Sequence, residues 1–386
     1  MFNFDEVVDR KNTNCVKWDT MTDKPEDTIP LWVADMDFKS PKAIEEALAT
    51  RVSHGIYGYS IISDEYLQTV VDWMAKRHDW KIEKEWIVPT PGVVTALKLC
   101  VNSYTNEGDA IIINKPVYYP FDFSIDLNNR KIIENTMIFK EDHYECDFEA
   151  FEQSIIDNDV KMYILCNPYN PIGKVWKQEE LKKLGDICKK HHVLVVSDEI
   201  HHDFVYGENQ HVPFYNVDES FKDFSIICTA PSKTFNLAGL QTSNIVIYNE
   251  ELRKKYQASM DRYGINPPNF MGIIACMTAY SKCELWLDEM LEYVYDNFMY
   301  LDNYLKENLP EIKLVKPEGL YLAWVDFRAL GLSHEELEKL MLEKAHIWLD
   351  EGYIFGTGGS GFERFNLAMP RSLLEETLQR ITAVIK

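Results

Sequence analysis

The sequence predicts an α/β protein: a large domain on a mostly parallel, helix-covered sheet, joined to a smaller α+β domain. Three observations predict it. Short, wholly apolar runs recur between polar turns, helical patterns separate some of them, and a long amphipathic stretch near residue 285 leads into a mixed C-terminal part. At 386 residues the chain is long for a single hydrophobic core, so two domains are expected. Residues 1–45 are expected to contribute to the small domain, 46–285 to form the large one, and 286–386 to complete the small one.

The runs "DAIIIN" (109–114), "VKMYILC" (160–166), "HVLVVSDE" (192–199), "FSIICT" (224–229) and "SNIVIY" (243–248) read as strands buried on both faces. "GVVTALKLCVNSY" after Pro91 reads as a helix, as does "KQEELKKLGDICKKH", in which Leu181, Leu184 and Ile187 share a face. Farther on, Trp286, Met290, Val294, Phe298, Leu301 and Leu305 recur every three or four residues, the mark of a long helix leaving the sheet. The last part opens a helix on a Ser333-to-Glu336 capping box and carries short strands such as "LYLAWVDF".

Composition excludes several classes. With 40 basic against 62 acidic residues the formal charge is −22, which repels polyanions, and no basic patch reverses it; nucleic acid is not an expected partner. The start "MFNFDEVVDRKNTN" lacks a basic n-region, and no apolar stretch approaches the ~20 residues that span a bilayer, so a cytoplasmic protein without a membrane partner is expected. The eight cysteines form no C-x-x-C, and neither a disulfide framework nor a zinc ribbon fits. The pairs His191-His192 and His201-His202, with Cys188 nearby, do not make a ligand set with zinc spacing, and no metal site is expected. "GTGGSG" (356–361) lacks the ending of a phosphate-binding loop and reads as a mobile loop before Arg364.

Ligands of open α/β sheets bind beyond the carboxyl ends of the strands, and four polar features fall at such positions. They are Asp198 and His201 after "VLVVSD", Asn167 and Asn170 in "NPYNPIG", Ser232 and Lys233 after "SIICT", and the turn Pro91-Gly92 before a helix start at Val93 and Val94. Taken alone, each has an ordinary reading: a helix cap, a turn, a surface lysine, another turn. Together they supply a desolvated amine able to condense with a carbonyl, a buried carboxylate, an amide, and helix amides that suit a phosphate.

In this order, "NPYNPIG", "SDEIHHD" and "SKTFNLAGL" resemble the fold-type I pyridoxal-phosphate enzymes of the aminotransferase class I/II family, over nearly the whole chain. "LWVADMDF" (31–38), "HGIYGYS" (54–60), "KPVYYPF" (115–121) and "APSKTFNLAGL" are similar to the cystathionine β-lyase branch, which includes cystalysin and the MalY/PatB-type C–S lyases. The resemblance implies the aspartate aminotransferase-like fold, pyridoxal 5′-phosphate as cofactor, and a homodimer with active sites at the subunit interface. It implies that Lys233 carries the cofactor and acts as the base at the substrate Cα, and that Asp198 pairs with the pyridine nitrogen. Asn170 donates to the phenolic oxygen and also meets the substrate, Tyr119 stacks on the ring, and Tyr118 faces the substrate as a second catalytic group. Val93, Val94 and Ser232 hold the phosphate, with Tyr59 reaching it from the neighbouring subunit. Arg364 grips the substrate carboxylate, with the main chain at Ala34 lining the same pocket.

The chain departs from the wider family at three of these places. Gln241 stands where an arginine usually binds phosphate, Ala230 replaces a serine, and His201 replaces a tyrosine near the cofactor. The implied reaction is α,β-elimination on L-cystathionine or a related cysteine S-conjugate, giving a thiol, pyruvate and ammonia. The core motifs serve amino transfer equally, and a role as a cofactor-bearing regulatory interaction protein is the reading from another class.

Overall fold

The computed structural model describes residues 2–386. Seven strands form the main sheet: β1 (Ile87–Thr90), β2 (Ala110–Lys115), β3 (Lys131–Thr136), β4 (Met162–Cys166), β5 (Leu194–Asp198), β6 (Ser225–Thr229) and β7 (Ser243–Val246). Their spatial order is β1-β7-β6-β5-β4-β2-β3, and every pairing is parallel except the two that β7 makes. The five apolar runs of the sequence are β2, β4, β5, β6 and β7. All residues of these strands are buried except the half-buried Leu194, as expected where helices cover both faces.

Two strands escaped the sequence pattern because both lie at sheet edges. β1 is interrupted by Pro89, which an edge strand tolerates because one side of it has no ladder to break. β3, "KIIENT", pairs only with β2 and leaves most of its side chains partly or fully exposed, so it has no apolar signature.

Four helices place the groups discussed below: α1 (Asp64–His78), α2 (Val93–Tyr104), α3 (Gln178–Lys190) and α4 (Glu284–Asn308). The Ser63 hydroxyl caps α1 by accepting from Tyr66 N at 3.1 Å, and Lys76, Arg77 and His78 fill its last turn, where the helix dipole favours positive charge. The buried face of α3 consists of Leu181, Leu184, Gly185 and Cys188, with Ile187 only half-buried. The face is rotated toward Gly185 because the Phe221 ring lies there, 2.1 Å from where a Cβ would stand. Helix α4 buries the six positions expected of it.

Beyond α4, the strands β8 (Lys313–Leu314), β9 (Leu322–Asp326), β10 (Asp350–Glu351) and β11 (Phe362–Asn366) make an antiparallel sheet of order β8-β9-β11-β10. The Ser333 capping box is formed, with both reciprocal hydrogen bonds. The N-terminal segment reaches this part of the molecule: Ile29–Pro30 pairs in parallel with Ile347–Trp348, and Asn366 N donates to Leu31 O at 3.0 Å. All eight cysteines are free thiols. Among the described residues no helix is long and apolar enough to cross a membrane.

Candidate active site

A cavity of about 240 Å³ opens beyond the carboxyl ends of β4, β5 and β6, facing the first turn of α2. Asn170, Asp198, His201, Ser232 and Lys233 line it from the strand ends, and Val93, Val94 and Tyr118 from the other side. Eight of the residues singled out in the sequence thus meet in one place.

Lys233 owes its position to Pro231, which stops β6 and opens a single helical turn, Pro231–Thr234. Its ammonium donates to Ala34 O at 2.6 Å. Burial, with a further push from the Arg364 charge, lowers its pKa to about 8, while Asp35 and Asp198 pull the other way. The lysine therefore gives up its proton far more readily than one in water.

The Ala34 carbonyl is itself fixed. Asn366 Nδ2 donates to Val33 O and Asp35 O at 2.8 and 2.6 Å, and Asn236 Nδ2 donates to Met36 O and Phe38 O at 3.0 and 2.9 Å. Asp37 is buried between Lys17 and Arg10, each 2.6 Å away, which anchors the other side of the same segment. The motif "LWVADMDF" is thus a bent, irregular segment clamped so that one carbonyl faces the lysine.

Asp198 ends β5 and accepts from Ile200 N at 3.1 Å. Burial raises its pKa to about 7, and neither the Ile200 hydrogen bond nor the Lys233 charge offsets that. It is a carboxylate prepared for a cationic partner. His201 is buried with no partner for Nδ1 among the described residues, and burial together with the charges of Lys233 and Arg364 holds its pKa well below the usual value, so it is neutral.

Arg364 lies on β11 with its guanidinium buried. Nη2 donates to Trp32 O at 2.6 Å and to the Asp350 carboxylate, and Nη1 donates to Asn170 Oδ1 at 3.1 Å. Its Nε has no hydrogen-bond partner among the described residues. The Phe355 ring lies 4.9 Å from the guanidinium carbon.

At the mouth of α2, Gly92 adopts φ +87°, a conformation that glycine accepts without strain. Its N–H turns back to Thr90 O at 2.8 Å, leaving the following amides to face the cavity without intrahelical acceptors.

Two of the expected residues do not line this chain's cavity. Tyr118, not Tyr119, lines the cavity; the Tyr119 ring sits 5.9 Å from Phe355 and 5.6 Å from Tyr118. Tyr59 is fully exposed and is not part of this chain's cavity. The sequence reading also missed Asp350, Asn236 and Asn366. Asn236 lies inside "SKTFNLAGL" but was given no role there; Asp350 carries no motif, and only the pairing of β10 with β11 puts it opposite Arg364. Gln241, noted for its departure from the family pattern, lines the cavity in a left-handed conformation (φ +47°).

A sheet of this order with a buried amine and a buried carboxylate at neighbouring strand ends defines a class. The chain belongs to the aminotransferase class I and II family, whose profile matches residues 26–381. Within it, the chain is similar to cystathionine β-lyase PatB of Bacillus subtilis, with 43% identity over 99% of this chain and 100% of that protein. It is also similar to protein MalY of Escherichia coli, with 33% identity over 100% of this chain and 99% of that protein. Among solved structures, cystalysin of Treponema denticola, which contains a pyridoxal 5′-phosphate cofactor, superposes with a TM-score of 0.97 at 41% identity, covering 100% of this chain and 98% of that one.

Proposed function

We propose that this chain is a pyridoxal-phosphate-dependent carbon–sulfur β-lyase that cleaves L-cystathionine or a related cysteine S-conjugate to a thiol, pyruvate and ammonia. The observation that carries the reading is the meeting of Lys233, Asp198 and the α2 amides in one cavity, with Arg364 reaching Asn170 at its edge. Full-length similarity to a cystathionine β-lyase selects the elimination.

The residues present fit pyridoxal phosphate. Asp198 is buried without a cation bonded to it, as a carboxylate awaiting a protonated pyridine nitrogen would be. His201 Nδ1 is a buried polar atom without a partner, and the first amides of α2 form a phosphate seat with Ser232 beside them. Lys233 would hold the cofactor covalently, and Asn170 would meet its phenolic oxygen. Gln241 lines the cavity where an arginine is usual, so phosphate binding leans on the amides. When bound, the cofactor supplies a sink for the electrons released as the Cα–H bond breaks.

The chain's own groups do the rest. Arg364, whose Nε has no partner among the described residues, binds the substrate carboxylate, and this fixes which Cα bond faces Lys233. Lys233, deprotonated near pH 8, takes the Cα proton. The Cβ–S bond then breaks with its electron pair leaving on sulfur. The Tyr118 phenol is kept protonated by burial and by the neighbouring Tyr119, and it is placed in the cavity to protonate that sulfur. Hydrolysis of the remaining three-carbon enamine gives pyruvate and ammonia. Tyr118 is also the better placed of the two tyrosines to cover the cofactor ring. The exposed Tyr59 belongs to a homodimer in which it reaches the phosphate of the second chain's site.

Incubation of the purified protein with L-cystathionine should release pyruvate and thiol in equal amounts without an oxo-acid acceptor. Amino transfer that depends on an oxo acid, with no thiol formed, would make the protein an aminotransferase instead.

A further inference from the structure

Where the last turn of α1 meets the segment after β5, a second polar cluster lies apart from the cofactor cavity. His78, His202 and Asp203 each offer one ligand atom there, all within 4.8 Å of one another. His78 Nε2 stands 3.0 Å from Asp203 Oδ1, and His202 Nε2 stands 3.2 Å from Asp203 Oδ2. The two imidazoles meet edge to face, with centroids 4.4 Å apart.

The hydrogen bonds around this group decide which atoms are available. His202 Nδ1 lies 2.5 Å from Glu199 O, and since a carbonyl only accepts, Nδ1 carries the proton. The lone pair of the neutral ring is then on Nε2, which is buried and makes no hydrogen bond, although the Asp203 oxygen is near. A nitrogen lone pair facing a carboxylate oxygen is repulsive unless a proton or a metal cation lies between them, and a bound cation takes the place of that proton. The other surroundings match the outer shell of a metal site: a backbone carbonyl orients His202, and Thr234 Oγ1 donates to Asp203 Oδ2 at 2.7 Å.

Dimensions and donor chemistry agree. A tetrahedral ion bound at about 2.0–2.1 Å holds its ligand atoms roughly 3.3 Å apart; each imidazole stands about that far from one Asp203 oxygen, and the set lies within 4.8 Å, so a small closure of the ligands completes the shell. Two imidazoles and one carboxylate suit zinc and its neighbours rather than magnesium or calcium. A cavity of about 460 Å³ opens on the cluster and leaves room for a fourth, water ligand. His211 lines the same cavity with its Nδ1 unbonded, and its ring centroid is 5.6 Å from that of His78.

We propose that His78, His202 and Asp203 form a binding site for a divalent transition cation of the zinc class, with its fourth position open to this cavity. No spacing along the chain points to this set, because the donors are dispersed: His78 lies 125 residues from Asp203. The ion ties the end of α1 to the segment that carries Asp198 and His201. Through Thr234 it also ties both to the helical turn of Lys233. The site stands independently of which reaction the cofactor cradle performs.

The test uses holoenzyme stripped with a chelator and then dialysed against micromolar zinc. Elemental analysis should find one zinc per chain. His78→Ala and His202→Ala should each lose it while retaining the circular dichroism and the cofactor absorbance of the parent. Because either variant could misfold, anomalous diffraction at the zinc edge from wild-type crystals provides the second measurement, with the peak expected between His78, His202 and Asp203. A wild-type protein that takes up no zinc, a peak located elsewhere, or full zinc retention in both folded variants would overturn the proposal.

Discussion

Arg364 and Asp350 stand opposite each other on the paired strands β11 and β10, their side chains bonded and both buried. Asp350, Trp32 O and Asn170 Oδ1 together occupy the two terminal nitrogens and hold the guanidinium in one plane, leaving Nε open. The proposed carboxylate receptor is thus oriented before any substrate arrives, which limits the ordering cost of binding.

Arg364→Lys keeps the charge but loses the fork. A hydrogen bond to a charged group contributes about 1.5–3 kcal/mol, so KM for the amino-acid substrate should rise roughly 10- to 150-fold with a smaller change in kcat. Steady-state kinetics on L-cystathionine reads the split, and an unchanged KM would remove Arg364 from substrate binding.

Asp350→Ala leaves the arginine charge buried without its carboxylate, a change that costs about 3–5 kcal/mol in buried pairs. Asp350→Asn keeps an acceptor and should lose much less. Denaturant midpoints of the two variants separate these outcomes; equal, small losses would show that the pair contributes little.

Lys233→Ala removes the proposed proton acceptor at Cα, and kcat for pyruvate release should fall by at least about 10²–10⁴-fold. The control is the cofactor content of the variant, since an empty protein would be inactive for a different reason. Activity within tenfold of the parent would refute the assignment.

Reconstitution of apoenzyme with pyridoxal phosphate should follow the Lys233 amine. With its pKa lowered to about 8 by burial, the amine is protonated and unreactive below that pH and neutral above it. The rate should therefore rise through pH 8 and level off above it, whereas an unperturbed lysine would keep climbing toward its ordinary value of 10.5. Stopped-flow absorbance measures it.

Asp198 predicts a pH-dependent cost in the apoenzyme. Its folded pKa of about 7 lies above the ordinary 3.8, so the folded state holds a proton that the unfolded state has released between those values. Stability is lost as pH rises through this window, by up to about 4 kcal/mol at 1.36 kcal/mol per pKa unit. Asp198→Asn should stabilise the apoenzyme at pH 8 and leave it unchanged near pH 3, while abolishing lyase activity in the holoenzyme. A variant no more stable than the parent at pH 8 would show that the carboxylate is not buried uncompensated.

Much of this protein was legible in its sequence. Strands β2, β4, β5, β6 and β7 announced themselves because a sheet covered on both faces demands unbroken apolar runs. Lys233, Asp198, Asn170 and the start of α2 could be singled out because polar residues at the ends of such runs fall on the ligand side of the sheet. The edge strands β1 and β3 could not be read, since one-sided pairing requires no such pattern. Nor could the partnership of Arg364 with Asp350, the absence of Tyr119 from the cavity lining, or the meeting of His78 with His202 and Asp203. Local pattern is set by what each residue must bury, whereas these contacts join distant segments whose spacing along the chain carries no information. Only the packing of α1, β10 and β11 against the rest of the fold decides them.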